Sequence, residues 1–237
     1  MKFAILTTNT AHHEYFIHQI ASEFEIAYLV YENMHISFNY ETRHSFELSQ
    51  ELYEREMLTR NAHVDIKRFG IAEHHVDTVN SDDFKKIYQK NPVDFALVFG
   101  CGRISQEIID LFPDGLINVH RGISRYYRGL DSELWAAYKK DFKNIGVTLH
   151  YIDNNLDTGD ILFEGPLNIP KNCKVHQLRG MATVLATEEI IKILSLLSQE
   201  KEVKRLSQTP GNYYSAMSSD EKEIAKNNFD NYSKCIK

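Results

Sequence analysis

The stretch LINVHRG at residues 116–122 places two polar side chains at the end of an apolar run. Asn118 and His120 are one residue apart, so in a strand both lie on one face, with Ile117 and Val119 on the other. In open parallel α/β sheets, ligands bind beyond the carboxyl ends of the strands. The spacing therefore predicts a donor amide and an acid/base group directed at one place. For His120 taken alone, a structural histidine bonded within the strand end is the alternative.

An acidic loop follows further along the chain, in IGVTLHYIDNNLDTGDILFE at residues 145–164. Its polar part contains Asp153, Asp157 and Asp160 between two predicted strands. Such loops make turns or bind cations, but this spacing does not match an EF-hand loop, which needs a bidentate Glu at its twelfth position. We therefore expect no metal site, and the loop is instead a source of acidic partners for His120.

The elements that must position these residues alternate along the chain. Apolar, β-rich runs predict strands at residues 2–8, 26–31, 93–99, 116–120, 146–152 and 161–169. Helical periods predict helices at residues 12–24, 82–89, 106–111, 131–140 and 174–199, with Glu133 in the first turn of the fourth. Strand, helix, strand at the N-terminus is a βαβ unit, which implies a parallel sheet covered on both faces. We predict an α/β fold, a Rossmann-like open, mostly parallel twisted sheet flanked by helices.

Two segments depart from this alternation. Residues 33–70 are polar and aromatic, and we predict an insertion over the sheet with an amphipathic helix near residues 46–58. The main domain then covers residues 1–200, and residues 201–237 form a small C-terminal extension. In that extension, strand-like pieces around a Pro-Gly turn predict a hairpin, and a charged helix follows. The tail is expected to pair across a dimer or to cover the site.

Composition restricts the class of protein. The chain has 237 residues and a net charge of −6, with a pI of about 6.0. Proteins that bind long nucleic acids usually carry a basic patch or a high pI, so a nucleic-acid partner is disfavoured. No apolar run reaches the roughly 18 residues of a membrane span. Three cysteines without zinc spacing, and no signal-like N-terminus, predict a reduced, cytoplasmic protein.

The combination of NVH, a following YYRG and GVTLHYIDNNLDTGDIL resembles the 10-formyltetrahydrofolate-dependent formyltransferase family. The resemblance is good over residues 90–200 and loose over the N-terminal βαβ region. That family includes enzymes that act on glycinamide ribonucleotide, on methionyl-tRNA and on nucleotide-linked amino sugars. The resemblance implies the family's fold and formyl transfer from 10-formyltetrahydrofolate to an amine, without a metal or a covalent intermediate.

The same resemblance implies which residues act. Asn118, His120 and Asp157 correspond to the family's catalytic Asn, His and Asp. Asn118 and His120 are expected to donate hydrogen bonds to the oxyanion that develops during transfer, each worth about 10²–10³ in rate. Asp157 is expected to hold His120 in position and to help relay the proton that the attacking amine loses. Which group takes that proton is left open.

The resemblance also implies a folate site between two loops. The loop FGCGRIS contributes Arg103, Ile104 and Ser105 to one side, and the backbone of Asp153, Asn154 and Asn155 holds the polar edges of the pterin from the other side. A solvated surface charge is the alternative for Arg103.

Departures from the family pattern bear on the acceptor. Where many members continue the His with Pro-Ser-Leu-Leu-Pro, this chain continues with Arg121 and Gly122, and Arg121 predicts either an anionic group on the acceptor or a structural salt bridge. The first strand is followed by TTNTAHHEYF, which has no glycine to cradle a phosphate, so glycinamide ribonucleotide is disfavoured. The chain is acidic and has only about 37 residues after the main domain, so a tRNA acceptor is also disfavoured.

The chain is therefore most like the sugar N-formyltransferases of surface-polysaccharide and lipopolysaccharide pathways, and we expect a homodimer. The residues expected to contact a nucleotide-linked amino sugar are Arg121, Tyr126, Tyr127, Arg128, His12 and His13, with Trp135 as a further aromatic. Another small amine as acceptor, and hydrolysis of 10-formyltetrahydrofolate, remain alternatives, although the hydrolases carry an additional N-terminal domain. A binding module that has lost the chemistry is disfavoured because all three polar residues are present.

Overall fold

The computed structural model describes residues 1–33, 36–60, 65–209 and 211–236. Its strands are β1 (Phe3–Thr7), β2 (Ile26–Glu32), β3 (Ala72–Val76), β4 (Phe95–Phe99), β5 (Leu116–His120), β6 (Tyr127–Gly129), β7 (Gly146–Tyr151), β8 (Ile161–Pro166) and β9 (Asn212–Tyr214). Its α-helices are α1 (Ala11–Ala21), α2 (Phe46–Thr59), α3 (Asp82–Lys90), α4 (Gln106–Ile109), α5 (Ser132–Tyr138), α6 (Leu178–Ser198) and α7 (Ser219–Lys234). None of the helices in these ranges is both long and apolar enough to cross a membrane.

Seven strands form one sheet in the order β3-β2-β1-β4-β5-β7-β8. The first five pair in parallel, whereas β7 runs antiparallel to both β5 and β8. The predicted fold class, an open and mostly parallel α/β sheet, is confirmed. The parallel strands end at one edge, where the strand order places β4 beside β5, and the antiparallel β7 brings a further strand to the same place.

A hydrophobic core covers each face of this sheet. Alternation divides β1 between the two, since Phe3 and Ile5 pack in one core while Ala4 and Leu6 pack in the other. The first core also contains residues of α1, α2, α6 and α7, and the second contains residues of α3 and α4. Because both faces are covered, the central strands are apolar on both sides, which is why they form near-continuous hydrophobic runs in the sequence.

The segment predicted as an insertion over the sheet, residues 33–70, contributes α2 and a short 3₁₀ helix at Ile66–Phe69. Its residues 34–35 and 61–64 lie outside the described ranges. Helix α2 packs against α1 and α6. The chain then adds β3 to the edge of the sheet, a strand that the sequence did not predict because AEHHV is polar and mostly exposed.

The C-terminal segment does not form the predicted hairpin in its described part. Strand β9 instead pairs in parallel with β6, and Leu206 pairs with Ile161 of β8. Pro210, half of the predicted Pro-Gly turn, lies outside the described residues. The predicted charged helix is α7, which begins at Ser218 with a capping box to Glu221 and packs against α5.

Candidate active site

Strands β5 and β7 carry three of the site's polar side chains. Their antiparallel register sets Asn118 opposite His150, and His120 opposite Thr148. Asn118 and His120 share a face, as alternation predicts, and the loop after β7 brings Asp157 against them. Asp157 has a backbone φ of +53°, a left-handed conformation that is uncommon for residues other than glycine.

Asp157 is the centre of the contacts. Its Oδ1 lies 3.3 Å from Asn118 Nδ2 and 3.4 Å from His150 Nε2, while its Oδ2 lies 2.8 Å from the backbone N of Gly129 and 3.4 Å from His120 Nδ1. Burial alone would raise the pKa of Asp157, but the charge on His120, the contact with His150 and the Gly129 N–H together lower it below its usual value. The carboxylate is therefore ionised at neutral pH.

His120 is held through both ring nitrogens. Its Nε2 lies 2.8 Å from the backbone carbonyl of Tyr127, and because a carbonyl only accepts, Nε2 carries a hydrogen. The other nitrogen, Nδ1, faces the ionised Asp157, so a ring that carries both protons satisfies both contacts. His120 is 6% exposed. Both ring nitrogens are therefore engaged within the protein, so donation to a substrate oxygen, which the sequence analysis expects of His120, requires Nε2 to give up the carbonyl of Tyr127.

Asn118 differs from the expected role in one respect, because its amide group is already engaged. His150 Nδ1 donates to the carbonyl of Tyr151 at 2.7 Å, which leaves His150 Nε2 to accept from Asn118 Nδ2 at 3.1 Å. The second Asn118 hydrogen is directed at Asp157. Donation to a substrate oxygen therefore requires that Asn118 exchange one of these two partners.

A cavity of about 220 Å³ opens beside this cluster. Its lining includes the cluster itself and the two loops predicted to hold folate, at residues 98–104 and at 152–157. The loops are joined directly, since Arg103 Nη2 donates to the carbonyl of Asn154 at 2.8 Å. Arg103 is therefore not a freely solvated charge. A slot with apolar walls and polar backbone edges fits a flat pterin ring, so the residues present suit the co-substrate that the sequence implies.

The predicted folate residues divide between two hollows. Arg103, Ile104, Asp153 and Asn155 line the main cavity, and Ser105 and Asn154 line an adjoining hollow that Arg103 and Ile104 share. The glycine-rich loop at residues 100–102 is held by Glu32 of β2, whose carboxylate accepts a hydrogen bond from the backbone N–H of Gly102 at 2.7 Å. The cavity wall therefore depends on a buried carboxylate that the sequence analysis did not single out.

Arg121 lines the cavity beside the cluster, and a chain of polar contacts holds it from behind. Its Nη1 lies 3.5 Å from His12 Nε2, and His12 Nδ1 lies 3.1 Å from Glu54 of α2. Glu54 in turn binds Arg179 of α6 through two hydrogen bonds of 2.5 and 2.8 Å. Burial, with the charges of Arg121 and Arg179, lowers the pKa of His12, so the neutral ring donates to Glu54 and accepts from Arg121.

The structure does not place His12 or His13 at the cavity, where substrate contact was expected. His12 instead contacts the Arg121 guanidinium from the side away from the cavity. His13 is 4% exposed, and its ring packs edge-on against Phe99 with 4.4 Å between centroids. A Cβ on Gly100, which has a φ of +84°, would lie 2.7 Å from His13 Nε2, so the ring supports the glycine-rich loop.

The substrate contacts predicted for residues 126–128 are also not what the structure places at the cavity. Tyr127 is 5% exposed, and its hydroxyl binds Asp141 at 3.1 Å, so only its carbonyl serves the site. Arg128 donates to the carbonyls of Gly211 and Leu156 at 2.6 and 3.1 Å, which commits its guanidinium to the backbone. Tyr126 is exposed but does not line the cavity.

Trp135 is likewise engaged in the fold. Its indole Nε1 donates to the carbonyl of Ser215 at 2.8 Å, and its ring lies 5.0 Å from that of Tyr214. Besides Glu32, the sequence analysis gave no site role to His150, Gly129 and Glu133, which line the cavity in the described part of the chain. The signal for His150 was its position in the predicted strand GVTLHY, but only the antiparallel pairing with β5 shows that it faces Asn118.

Comparison with known proteins was made against families, curated proteins and solved structures. The profile of the family described as Formyl transferase matches residues 2–197. A methionyl-tRNA formyltransferase from Thermodesulfovibrio yellowstonii is 33% identical over 120 residues, which are 50% of this chain and 38% of that protein. The chain spans less than half the length of the curated relatives it matches.

Solved structures share the fold at lower identity. One is a formyltransferase from Anoxybacillus kamchatkensis in complex with UDP-4,6-dideoxy-4-formamido-L-AltNAc and tetrahydrofolate, with a TM-score of 0.55, 19% identity and coverage of 91% of this chain and 86% of that chain. Another is a phosphoribosylglycinamide formyltransferase from Anaplasma phagocytophilum, with a TM-score of 0.61, 16% identity and coverage of 92% of this chain and 99% of that chain. The resemblance predicted from the sequence is confirmed, and the chain belongs to the formyl transferase family.

Proposed function

We propose that this protein is an N-formyltransferase that moves a formyl group from 10-formyltetrahydrofolate to the amine of a nucleotide-linked amino sugar. The observation that carries the proposal is the contact of Asn118 and His120 with the ionised Asp157 at the edge of a cavity. The proposed setting is the cytoplasm, with a homodimer supplying precursors of a surface polysaccharide such as lipopolysaccharide.

The folate co-substrate would be held between the two joined loops. Arg103, Ile104 and Ser105 would contact the pterin from one side and the backbone of residues 153–155 from the other, where the carbonyl of Asn154 is already occupied by Arg103. When bound, the co-substrate supplies the formyl group as an electrophilic carbon. The cavity that these loops line also includes Asn118, His120 and Asp157, which would face that carbon.

The protein's own groups then serve the transfer. His120 would donate from Nε2 to the oxygen where negative charge develops, in exchange for its contact with the carbonyl of Tyr127, while Asp157 holds the ring by its contact with Nδ1. Asn118 adds a donor by exchanging its contact with His150 for one with the substrate. Neither step requires a covalent bond between protein and substrate.

Two observations support an amino sugar over the other acceptors of the family. After β1, the hydroxyls of Thr8 and Thr10 bind the His13 ring at 3.0 and 2.8 Å, so these two side chains are engaged in the fold and are not available to a phosphate. The solved complex from Anoxybacillus kamchatkensis also contains a nucleotide-linked formamido sugar and tetrahydrofolate. Arg121, which lines the cavity, would meet an anionic group of such an acceptor.

A screen tests the proposal. UDP- and dTDP-linked 3- and 4-amino sugars, free amino sugars and ethanolamine are incubated with 10-formyltetrahydrofolate, and formylated products are detected by mass spectrometry. We expect a formyl mass on a nucleotide-linked amino sugar, and Asn118→Ala and His120→Ala should each abolish it while keeping the wild-type circular dichroism. Asn227→Ala, which removes an exposed amide on α7, is the control and should retain activity.

Each other outcome has a meaning. Formylation of a different amine alone would reject the sugar and keep the transferase. Release of formate without any formylated amine would favour the hydrolase. Full activity in either active-site variant would reject the proposed catalytic roles.

A further inference from the structure

Four carboxylates line the cavity, and one of them differs from the rest. Each of the other three accepts a hydrogen bond from a backbone N–H: Asp131 from Met217 at 2.9 Å, Asp153 from Asn155 at 3.0 Å, and Asp157 from Gly129 at 2.8 Å. Glu133 is only 8% exposed, and within the described ranges it makes no hydrogen bond or ion pair. Buried carboxylates are normally paired because desolvation of an unpaired charge is costly.

Arg121 does not fill this role. It lines the same cavity, and its charge and that of Glu133 influence each other, since Glu133 opposes the lowering of the Arg121 pKa that burial causes. No ion-pair contact within 4 Å joins the two among the residues that the structure covers, and the Arg121 guanidinium lies instead against His12. A cation and an anion therefore face the same space without cancelling each other in direct contact.

The first turn of α5, which contains Glu133, lies close to the end of β5 and to His120. It follows Ser132 at the start of α5, and a Cβ placed on Gly122 would lie 2.5 Å from Ser132 Cβ and 2.7 Å from His120 Nε2. The first turn of α5 is thus packed against the end of β5. An acidic residue in a first turn is favoured by the helix dipole, but that effect accounts equally for an exposed side chain and gives no reason for burial in this cavity.

We infer that Glu133 binds the ammonium group of the acceptor and takes its first proton. The inference rests on the proposed formyl transfer and names the residue that prepares the nucleophile. An amine arrives largely as its ammonium ion at neutral pH and has no free electron pair. A buried carboxylate in the cavity offers a charge partner for binding and a base within reach of the N–H.

The protons balance as follows. An N–H bond of the ammonium breaks and an O–H bond forms on Glu133, which frees the electron pair of the amine. That pair forms the bond to the formyl carbon while the C=O electron pair moves onto the oxygen, and the return of that pair breaks the bond from this carbon to the folate nitrogen. The second proton lost by the amine goes to the departing folate nitrogen, and the proton on Glu133 is released to solvent.

The test uses Glu133→Gln, which keeps the shape and removes the charge, with the acceptor that the wild-type protein formylates best. We expect kcat/KM for that amine to fall by about 10²-fold or more at neutral pH, with the KM for 10-formyltetrahydrofolate changed by less than about two-fold. The defect should shrink as pH rises and the acceptor loses its own proton. Glu107→Gln, an exposed carboxylate on α4, is the matched control and should retain wild-type kinetics.

Two further measurements separate chemistry from structure. O-methylhydroxylamine is largely uncharged at neutral pH, so Glu133→Gln should impair its formylation far less than that of the physiological amine. Calorimetry with the acceptor alone should show weaker binding to Glu133→Gln than to the wild-type protein. Glu133→Asp should recover part of the lost activity because it restores the carboxylate.

Several results would overturn the inference. Wild-type kcat/KM in Glu133→Gln would remove Glu133 from the reaction and leave the proposed function standing. An equal loss with both amines at every pH would indicate a structural role. If the wild-type protein formylates no amine at all, the proposed function and the inference both fall.

Discussion

Asp157 combines an unfavourable backbone with a dense set of donors. A non-glycine residue at a φ of +53° costs about 1 kcal/mol or more, and such strain persists only where the surroundings fix it. Here the N–H groups of Gly129, His120 and Asn118 converge on the two carboxylate oxygens. The conformation that strains the residue is therefore the one that brings its carboxylate to both strands.

Asp157→Asn is expected to destabilise the protein by about 2 kcal/mol at pH 7 and to lower formyl transfer by about 10²-fold or more. Folding lowers the pKa of Asp157, so its contribution to stability is complete above the ordinary carboxyl range near 4 and is lost as pH falls through the lowered value. The difference in unfolding free energy between wild type and variant should therefore shrink below about pH 4. Urea unfolding of the wild type and the variant, at pH 7 and below about pH 4, measures this difference in unfolding free energy.

Asp153→Asn is the control, because Asp153 lies in the same loop but is held only by Asn155 and Thr158. It should lose less stability than Asp157→Asn at pH 7. A difference for Asp157→Asn that is constant with pH would contradict the role given to its charge.

At the residue level, short-range geometry was predictable and long-range partners were not. Alternation within a strand put Asn118 and His120 on one face, and the structure has both against Asp157. His12 and His13 were expected at the substrate because of their chemistry, yet burial depends on how α1 packs, which a local pattern does not contain. His150 was missed for the same reason, since its neighbours come from another strand.

At the scale of elements, β6 and β9 form a short two-stranded sheet against the site. Gly129 ends β6 with a φ of +93°, and its N–H donates to Asp157 at 2.8 Å. A Cβ at this position would overlap the carbonyl of Tyr214 and lie 2.7 Å from the Tyr213 ring. The glycine thus allows the C-terminal strand to approach the chain segment that supports the Asp157 carboxylate.

Gly129→Ala should open this pairing and weaken the contact with Asp157. Gly70→Ala is a matched control, because Gly70 also has a positive φ, of +66°, but a Cβ there meets nothing within 4 Å. We expect Gly129→Ala to lose at least about 2 kcal/mol more than Gly70→Ala, and to lose most of its activity, because only the first substitution adds overlap to backbone strain. Thermal unfolding and formyl-transfer assays compare the two. Equal stability of both variants would show that β9 adjusts freely.

The elements that the sequence analysis found are those whose pattern is carried by their own residues. Buried strands such as β4 and β5 were predicted from continuous apolar runs, and α6 from its period. Strand β3 was missed because an edge strand need not be apolar, and β6 was missed because three residues carry no periodicity. Strand β9 lies in a segment predicted to be strand-like, but its pairing with β6 was not predicted. Their existence depends on pairing partners far away in the chain.

For the whole molecule, Lys222 joins three distant segments. This residue of α7 is 6% exposed, and its Nζ lies 2.8 Å from the carbonyl of Thr42, 2.7 Å from Glu47 and 3.5 Å from Asp131. Asp131, at the start of α5, also accepts from the backbone of Met217. One buried cation thus ties the C-terminal helix to the segment before α2 and to the cavity wall.

Lys222→Met should reduce the free energy of unfolding by about 3 kcal/mol, because it leaves two carboxylates without their cation in a largely buried place. Lys226→Met, one turn along α7, removes a more exposed lysine that binds Asp230 at 3.3 Å and should cost less than about 1 kcal/mol. Urea unfolding measures both, and hydrogen exchange should show faster opening of α7 in the first variant only. Similar losses in the two variants would contradict the joining role of Lys222.

The contacts behind Arg121 have a consequence for how this protein can change. Arg121 belongs to the cavity wall, but the residues that set its position, His12, Glu54 and Arg179, belong to α1, α2 and α6, and none of them lines the cavity. Under the proposed function, we expect substitutions in these helices, away from the cavity, to alter acceptor preference through Arg121. Laboratory evolution toward a new amine should collect changes on these three helices while the catalytic strands stay as they are.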